Sequence, residues 1–111
     1  MNDIEKLLHE YRLKAIPYSR AKSHRVYLEE YKKSLLSLLL KDAERKGFTS
    51  VSAQERESYS RPEYVKHLEA LRDSVEAEEH QRFEIKRIEL EIEVWRTHQA
   101  NERMERKAYG A

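Results

Sequence analysis

Three glutamate and histidine pairs stand four residues apart: Glu5 with His9, Glu63 with His67 and Glu76 with His80. On a helix that spacing places both side chains on one face, where they could supply half of a metal site. No second half accompanies them. None of the five histidines has a glutamate three residues before it, as the helices of di-iron bundles require, and there is no His-Glu-x-x-His run. With only two glycines the chain has no Gly-rich phosphate loop, and with no cysteine it has neither a disulfide framework nor a thiolate metal site. Serines such as Ser34, Ser37 and Ser58 have no recognisable base beside them. The glutamate and histidine pairs therefore read as surface ion pairs, and the protein as a non-enzyme with no metal and no cofactor.

A binding surface is the chemistry that remains. Arg12, Lys14, Arg20, Lys22 and Arg25 form one basic group near the start of the chain, and Arg96, Arg103, Arg106 and Lys107 form another near its end. Tyr18, Tyr27, Trp95 and Tyr109 are interspersed among them. Bases stack on aromatic rings while Lys or Arg neutralises the adjoining phosphate, at roughly 1–3 kcal/mol per stacked base. Trp95 also falls in step with Ile88 and Ile92, which makes it a core plug in preference to a stacking platform.

Helices must position these groups. Residues 60–108 contain one proline, Pro62, and no glycine, in a composition rich in Glu, Arg, Lys, Ala, Leu and Ile. Such a stretch reads as one helix of roughly 70 Å, which must fold back on a second rod or on a partner. Ser60 and Glu63 have capping-box spacing, so the long helix is expected over 61–107. A second box, Ser52 with Glu55, opens a short helix over 53–59. Gly47 has the place of a C-cap glycine and closes a helix over 19–46. Pro17 kinks or separates an N-terminal helix over 3–15. The expected fold is all-α: one domain over residues 1–111, an elongated, coiled-coil-like antiparallel hairpin with a short connecting helix.

Charge and apolar spacing suggest the register. Residues 11–33 are net +5 and residues 53–93 net −5, which favours antiparallel pairing. Leu28, Tyr31, Leu35, Leu38 and Asp42 step by threes and fours, as do Tyr64, Leu68, Leu71 and Val75. The stripe of the long helix is interrupted by a polar layer over 76–82 and resumes with Ile85, Ile88, Ile92 and Trp95. Pairing of Glu79 with Arg25 in that layer would set register at some cost in stability. A hairpin closed by residues 47–60 would also bring both basic groups to one open tip.

Leu35, Leu36, Leu38, Leu39 and Leu40 point in nearly all directions around the second helix. One seam covers only one stripe, so Leu35, Leu36, Leu39 and Leu40 are expected to hold subunits together in a dimer or larger homo-oligomer. The first ten residues are acidic and amphipathic, and the longest apolar run, 38–40, is far short of a membrane span. A soluble, unexported protein with no membrane partner follows.

Three strings, Arg25-Val26-Tyr27-Leu28-Glu29-Glu30-Tyr31, Val51-Ser52-Ala53-Gln54-Glu55-Arg56-Glu57 and Ile92-Glu93-Val94-Trp95-Arg96, resemble short, mostly uncharacterised helical proteins of tailed bacteriophages and prophages. The resemblance spans residues 20–103 and carries no catalytic residue. It implies an accessory protein of phage recombination or replication, in the cytoplasm of an infected or lysogenic bacterial host. Two roles follow. In the first, the basic, aromatic tip binds single-stranded or junction DNA. In the second, the chain is an oligomeric coiled-coil adaptor or scaffold that binds a phage or host protein and no nucleic acid.

Overall fold

The computed structural model describes residues 2–110. The described residues are all-α, with four helices in chain order, α1 (Asp3–Leu13), α2 (Ala15–Arg45), α3 (Val51–Ser60) and α4 (Pro62–Ala108), and no strand among them. These residues pack as two compact units: one runs from Arg20 to Glu78, and the other joins the residues up to Ser19 with those from Glu79 onward.

Local chemistry sets each boundary. α1 opens on a capping box in which Asn2 Oδ1 accepts from the Glu5 amide at 2.9 Å and the Asn2 amide donates to Glu5 Oε2 at 3.3 Å. Pro17 has no N–H for the Leu13 carbonyl, so the ladder lapses by one bond. Lys14 nevertheless keeps right-handed helical dihedrals (φ −76°, ψ −15°), and its carbonyl accepts from Tyr18 at 3.1 Å. The proline thus bends the chain, and α2 begins at Ala15, earlier than expected.

α2 ends in a Schellman motif. The amide of Phe48 donates to Ala43 O and that of Gly47 to Glu44 O, with Gly47 at φ +99°. α3 is capped by Ser50, whose Oγ accepts from the Ala53 amide at 3.1 Å, two residues ahead of the expected Ser52. Gln54 Nε2 adds a bond to Phe48 O at 2.8 Å and ties the connection down. The Ser60–Glu63 box does not form. Pro62 occupies the first turn of α4, where a missing N–H costs nothing, and it holds the preceding Arg61 extended (φ −68°, ψ 139°). Ser60 is therefore one residue too early to cap α4, and its hydroxyl donates to Glu57 O instead.

In the unit from Arg20 to Glu78, α2 and α4 run antiparallel with α3 between them in sequence. Leu28, Leu39, Ala43 and Tyr64 form its apolar core, joined by buried Ser58, His67, Ser74 and Glu78. The α2 seam passes through Leu39 and Ala43 where Leu38 was expected; Leu38 is 58% exposed. On α4 the seam passes through Tyr64, His67, Leu71, Ser74 and Glu78, while Leu68 and Val75 lie outside it. The steps of three and four are those expected, but polar side chains occupy three of the five positions.

The other unit sets α1 against the last part of α4. Ile88 is fully buried there, and Gln81, Ile85, Ile92, Trp95 and Gln99 continue the same steps half-buried. Trp95 is a seam residue, in step with its isoleucines. Among the described residues no helix is long and apolar enough to cross a membrane.

Candidate interaction surface

Within the Arg20–Glu78 unit the seam's polar groups are consumed internally. Arg25 donates through Nε and Nη2 to Glu78, the latter at 3.3 Å to Oε1, and through Nη1 to Glu29 at 2.9 Å. Glu78 is only 2% exposed. The expected partner, Glu79, instead pairs with Arg82 at 3.1 Å. One residue is about 100° of helix rotation, and the seam continues from Ser74 to Glu78 by a step of four, which turns Glu78 inward and Glu79 aside. Hydrogen bonds from Arg25 to Glu78, and then to Glu29, raise the guanidinium pKa further.

His67 also turns inward. Its Nε2 lies 2.7 Å from the Leu28 carbonyl, which can only accept, so Nε2 carries the proton. Its ring packs against Tyr31 at 5.5 Å, and Tyr31 stacks on Tyr27 at 6.1 Å. The pairing expected with Glu63 is absent, because Glu63 meets Arg61 at 3.0 Å. Among the described residues no three of His, Cys, Asp and Glu gather as a metal site. At the connection end of this unit Asp42 accepts from Arg61 at 2.8 Å and from Lys46 at 3.0 Å, and these cations hold its carboxyl below the usual aspartate range.

In the other unit Arg87 is the organising cation. It reaches Glu10 at 2.8 Å, Glu84 at 3.0 Å and Glu91 at 3.0 Å, and its hydrogen bond holds Glu84 below the usual glutamate range. Tyr11 donates to Glu89 Oε1 at 3.1 Å, which raises the phenol's pKa. These contacts fix α1 on α4, and the sequence reading did not foresee them. Only the opposite charges of Glu10 and Arg87 hinted at them, and the hint had no register to attach to.

The basic residues expected to share a tip fall in two units. Arg20, Lys22 and Arg25 belong to the Arg20–Glu78 unit; there Arg20 and Lys22 are exposed about 200° apart around α2, and Arg25 is half-buried in its ion pairs. Arg12, Lys14, Tyr18, Arg96, Arg103, Arg106 and Lys107 belong to the other unit. Glu10 and Tyr11 lie beside Arg87 and Glu89, so Arg103 stands about 14 residues, roughly 20 Å, further along α4 than the residue that meets Tyr11. Lys14 and Tyr18 are half-buried. Arg96 pairs with Glu93 at 3.1 Å and Arg106 with Glu102 at 3.6 Å. Arg103 and Lys107 are exposed among Glu102 and Glu105. This unit carries ten basic and ten acidic side chains, and the Arg20–Glu78 unit twelve and eleven.

Of the leucines expected to hold subunits together, Leu39 is 6% exposed and belongs to its own unit's core, while Leu35, Leu36 and Leu40 are half-buried. The conspicuous exposed apolar face lies elsewhere. Phe83, Leu90, Val94 and Met104 are 57–69% exposed and lie about half a turn around α4 from Ile85, Ile88 and Ile92. Phe83, Lys86, Arg87, Leu90, Glu91 and Val94 line an open groove of about 470 Å³ on this face. A spacing of seven, Phe83 to Leu90 and Leu90 to Thr97 to Met104, was available in the sequence as a signal, although the stronger isoleucine stripe on the same helix masks it.

Compared with known protein families, curated proteins and solved structures, the chain matches none.

Proposed function

We propose that this protein is a non-enzymatic helical adaptor that works by docking protein along the outer face of α4. The observation that supports this most is the pairing of a balanced surface charge with an exposed apolar stripe at Phe83, Leu90 and Val94. A contiguous apolar face on a helix whose opposite face already packs inside its own unit is what helix-to-groove or helix-to-helix recognition uses. The resemblance to phage proteins fits an accessory role in the cytoplasm of a bacterial host.

Binding of single-stranded or junction DNA is the competing role, and it draws on the exposed Arg103 and Lys107. Phosphate binding needs an excess of cations, and in neither unit does basic charge exceed acidic charge by more than one. Fluorescence anisotropy with a labelled single-stranded oligonucleotide separates the two. The adaptor role predicts no binding at low salt. Binding whose affinity falls with salt at a log–log slope of about −2 to −3, as three or four phosphate contacts give, would overturn it.

A further inference from the structure

The exposed stripe of α4 has a heptad grammar that singles out its occupant. Phe83, Leu90, Thr97 and Met104 recur every seven residues, and Arg87, Val94, Asn101 and Ala108 follow each of them by four. Those are the d and a positions of a coiled coil, on the side of α4 opposite Ile85, Ile88 and Ile92, with Leu90 also bordering a groove beside Leu8 and Tyr11 of α1. Leucine at d followed by a β-branched residue at a, here Leu90 and Val94, favours two strands, and a single asparagine at an a position, Asn101, fixes register by meeting its own equivalent. The stripe is apolar and exposed at Phe83, Leu90, Val94 and Met104. The stem of Arg87 lines the groove while its guanidinium is held by Glu10, Glu84 and Glu91.

Charge decides the orientation. Three carboxylates surround Arg87, whereas Lys86 has no ion-pair partner among the described residues. Lys86 is at a g position and Glu91 at the following e position, the two that face each other across a parallel pair. In an antiparallel pair the e positions would face one another, and Glu84, Glu91 and Glu105 fill three of the four along this stripe, so carboxylate would meet carboxylate. The unit's balanced charge adds no long-range repulsion between copies. We propose that the occupant of this face is a second copy of the same chain, joined in parallel and in register from Phe83 to Met104 as a two-stranded coiled coil. The proposal rests on the reading of this face as a protein-docking surface.

The chain contains no cysteine, so single cysteines report orientation cleanly. Sedimentation velocity should show a dimer, and Leu90→Glu should raise its dissociation constant at least about tenfold with the helical circular dichroism unchanged. Under mild oxidation Met104→Cys should cross-link to itself, and a mixture of Phe83→Cys with Met104→Cys should give no mixed disulfide. A wild-type monomer at high micromolar concentration, a dimer indifferent to Leu90→Glu, or a mixed Phe83→Cys/Met104→Cys disulfide would each overturn the proposal. A monomer that also ignores oligonucleotide removes this pairing and leaves the adaptor role in place. Salt-steep oligonucleotide binding removes the role itself, whether or not the chain pairs.

Discussion

Asp42 shows how single residues close the connection end of the Arg20–Glu78 unit. Arg61, the residue that Pro62 holds extended, reaches across to it, and Lys46 joins from the turn just after α2. Its pKa is therefore lower in the folded chain than in the unfolded one. A carboxyl shifted in that direction stabilises the fold at every pH above its unfolded value of about 3.9, and the contribution disappears as pH falls through the lower folded value. Asp42→Asn should accordingly lower the melting temperature at neutral pH, and the gap to the wild type should close below about pH 4. Circular-dichroism melts across that range check it; a gap that persists in acid would show that Asp42 acts through packing. Residues of this kind were only partly legible beforehand. The polar layer was visible as a loss of apolar side chains over 76–82, but Glu78 and Glu79 are adjacent acids, and only the occupied seam positions at His67, Ser74 and Glu78 say which of them turns inward.

At the scale of the element, α4 presents two apolar faces, and the same substitution on each should behave differently. Ile88 is fully buried, whereas Leu90, two residues on, is 57% exposed. Ile88→Ala should cost about 2–5 kcal/mol through lost contact and a residual cavity. Leu90→Ala should change the stability of dilute protein by less than about 0.5 kcal/mol. Urea unfolding measures both, and a large loss for Leu90→Ala in dilute protein would mean that its face is packed within the chain. The all-α class was legible from glycine and proline placement and from the three-and-four spacing, since those signals are local. Caps were less secure. Ser50 and Ser52, or Ser60 and Arg61, compete for the same role, and the choice depends on Pro62 fixing its neighbour and on Gln54 tying Phe48, which are effects of conformation and tertiary contact.

For the whole molecule, charge count and charge placement lead to different conclusions. The sequence shows two basic groups that a simple hairpin would bring to one tip. The contacts of Glu10 and Tyr11 set α1 against residues 87–89 of α4, so Arg103, Arg106 and Lys107 stand away from Tyr11 along that helix and lie among carboxylates, while Arg96 borders the same groove as Tyr11. That offset depends on side chains such as Arg87, Glu10, Tyr11 and Glu89 meeting, and the apolar spacing alone could not specify it. The class of fold was legible because an uninterrupted helix of this length has few ways to bury a stripe. The face proposed for docking was less so, because Leu39, the most apolar-looking candidate, is used by the chain's own core. Hydroxyl-radical footprinting over a concentration series tests the resulting account most directly. It should find Leu39 and Ile88 protected at every concentration, and Phe83, Leu90 and Met104 reactive in dilute protein and protected as concentration rises. Phe83, Leu90 and Met104 staying reactive throughout, with new protection appearing at Leu35, Leu36 or Leu40, would contradict it.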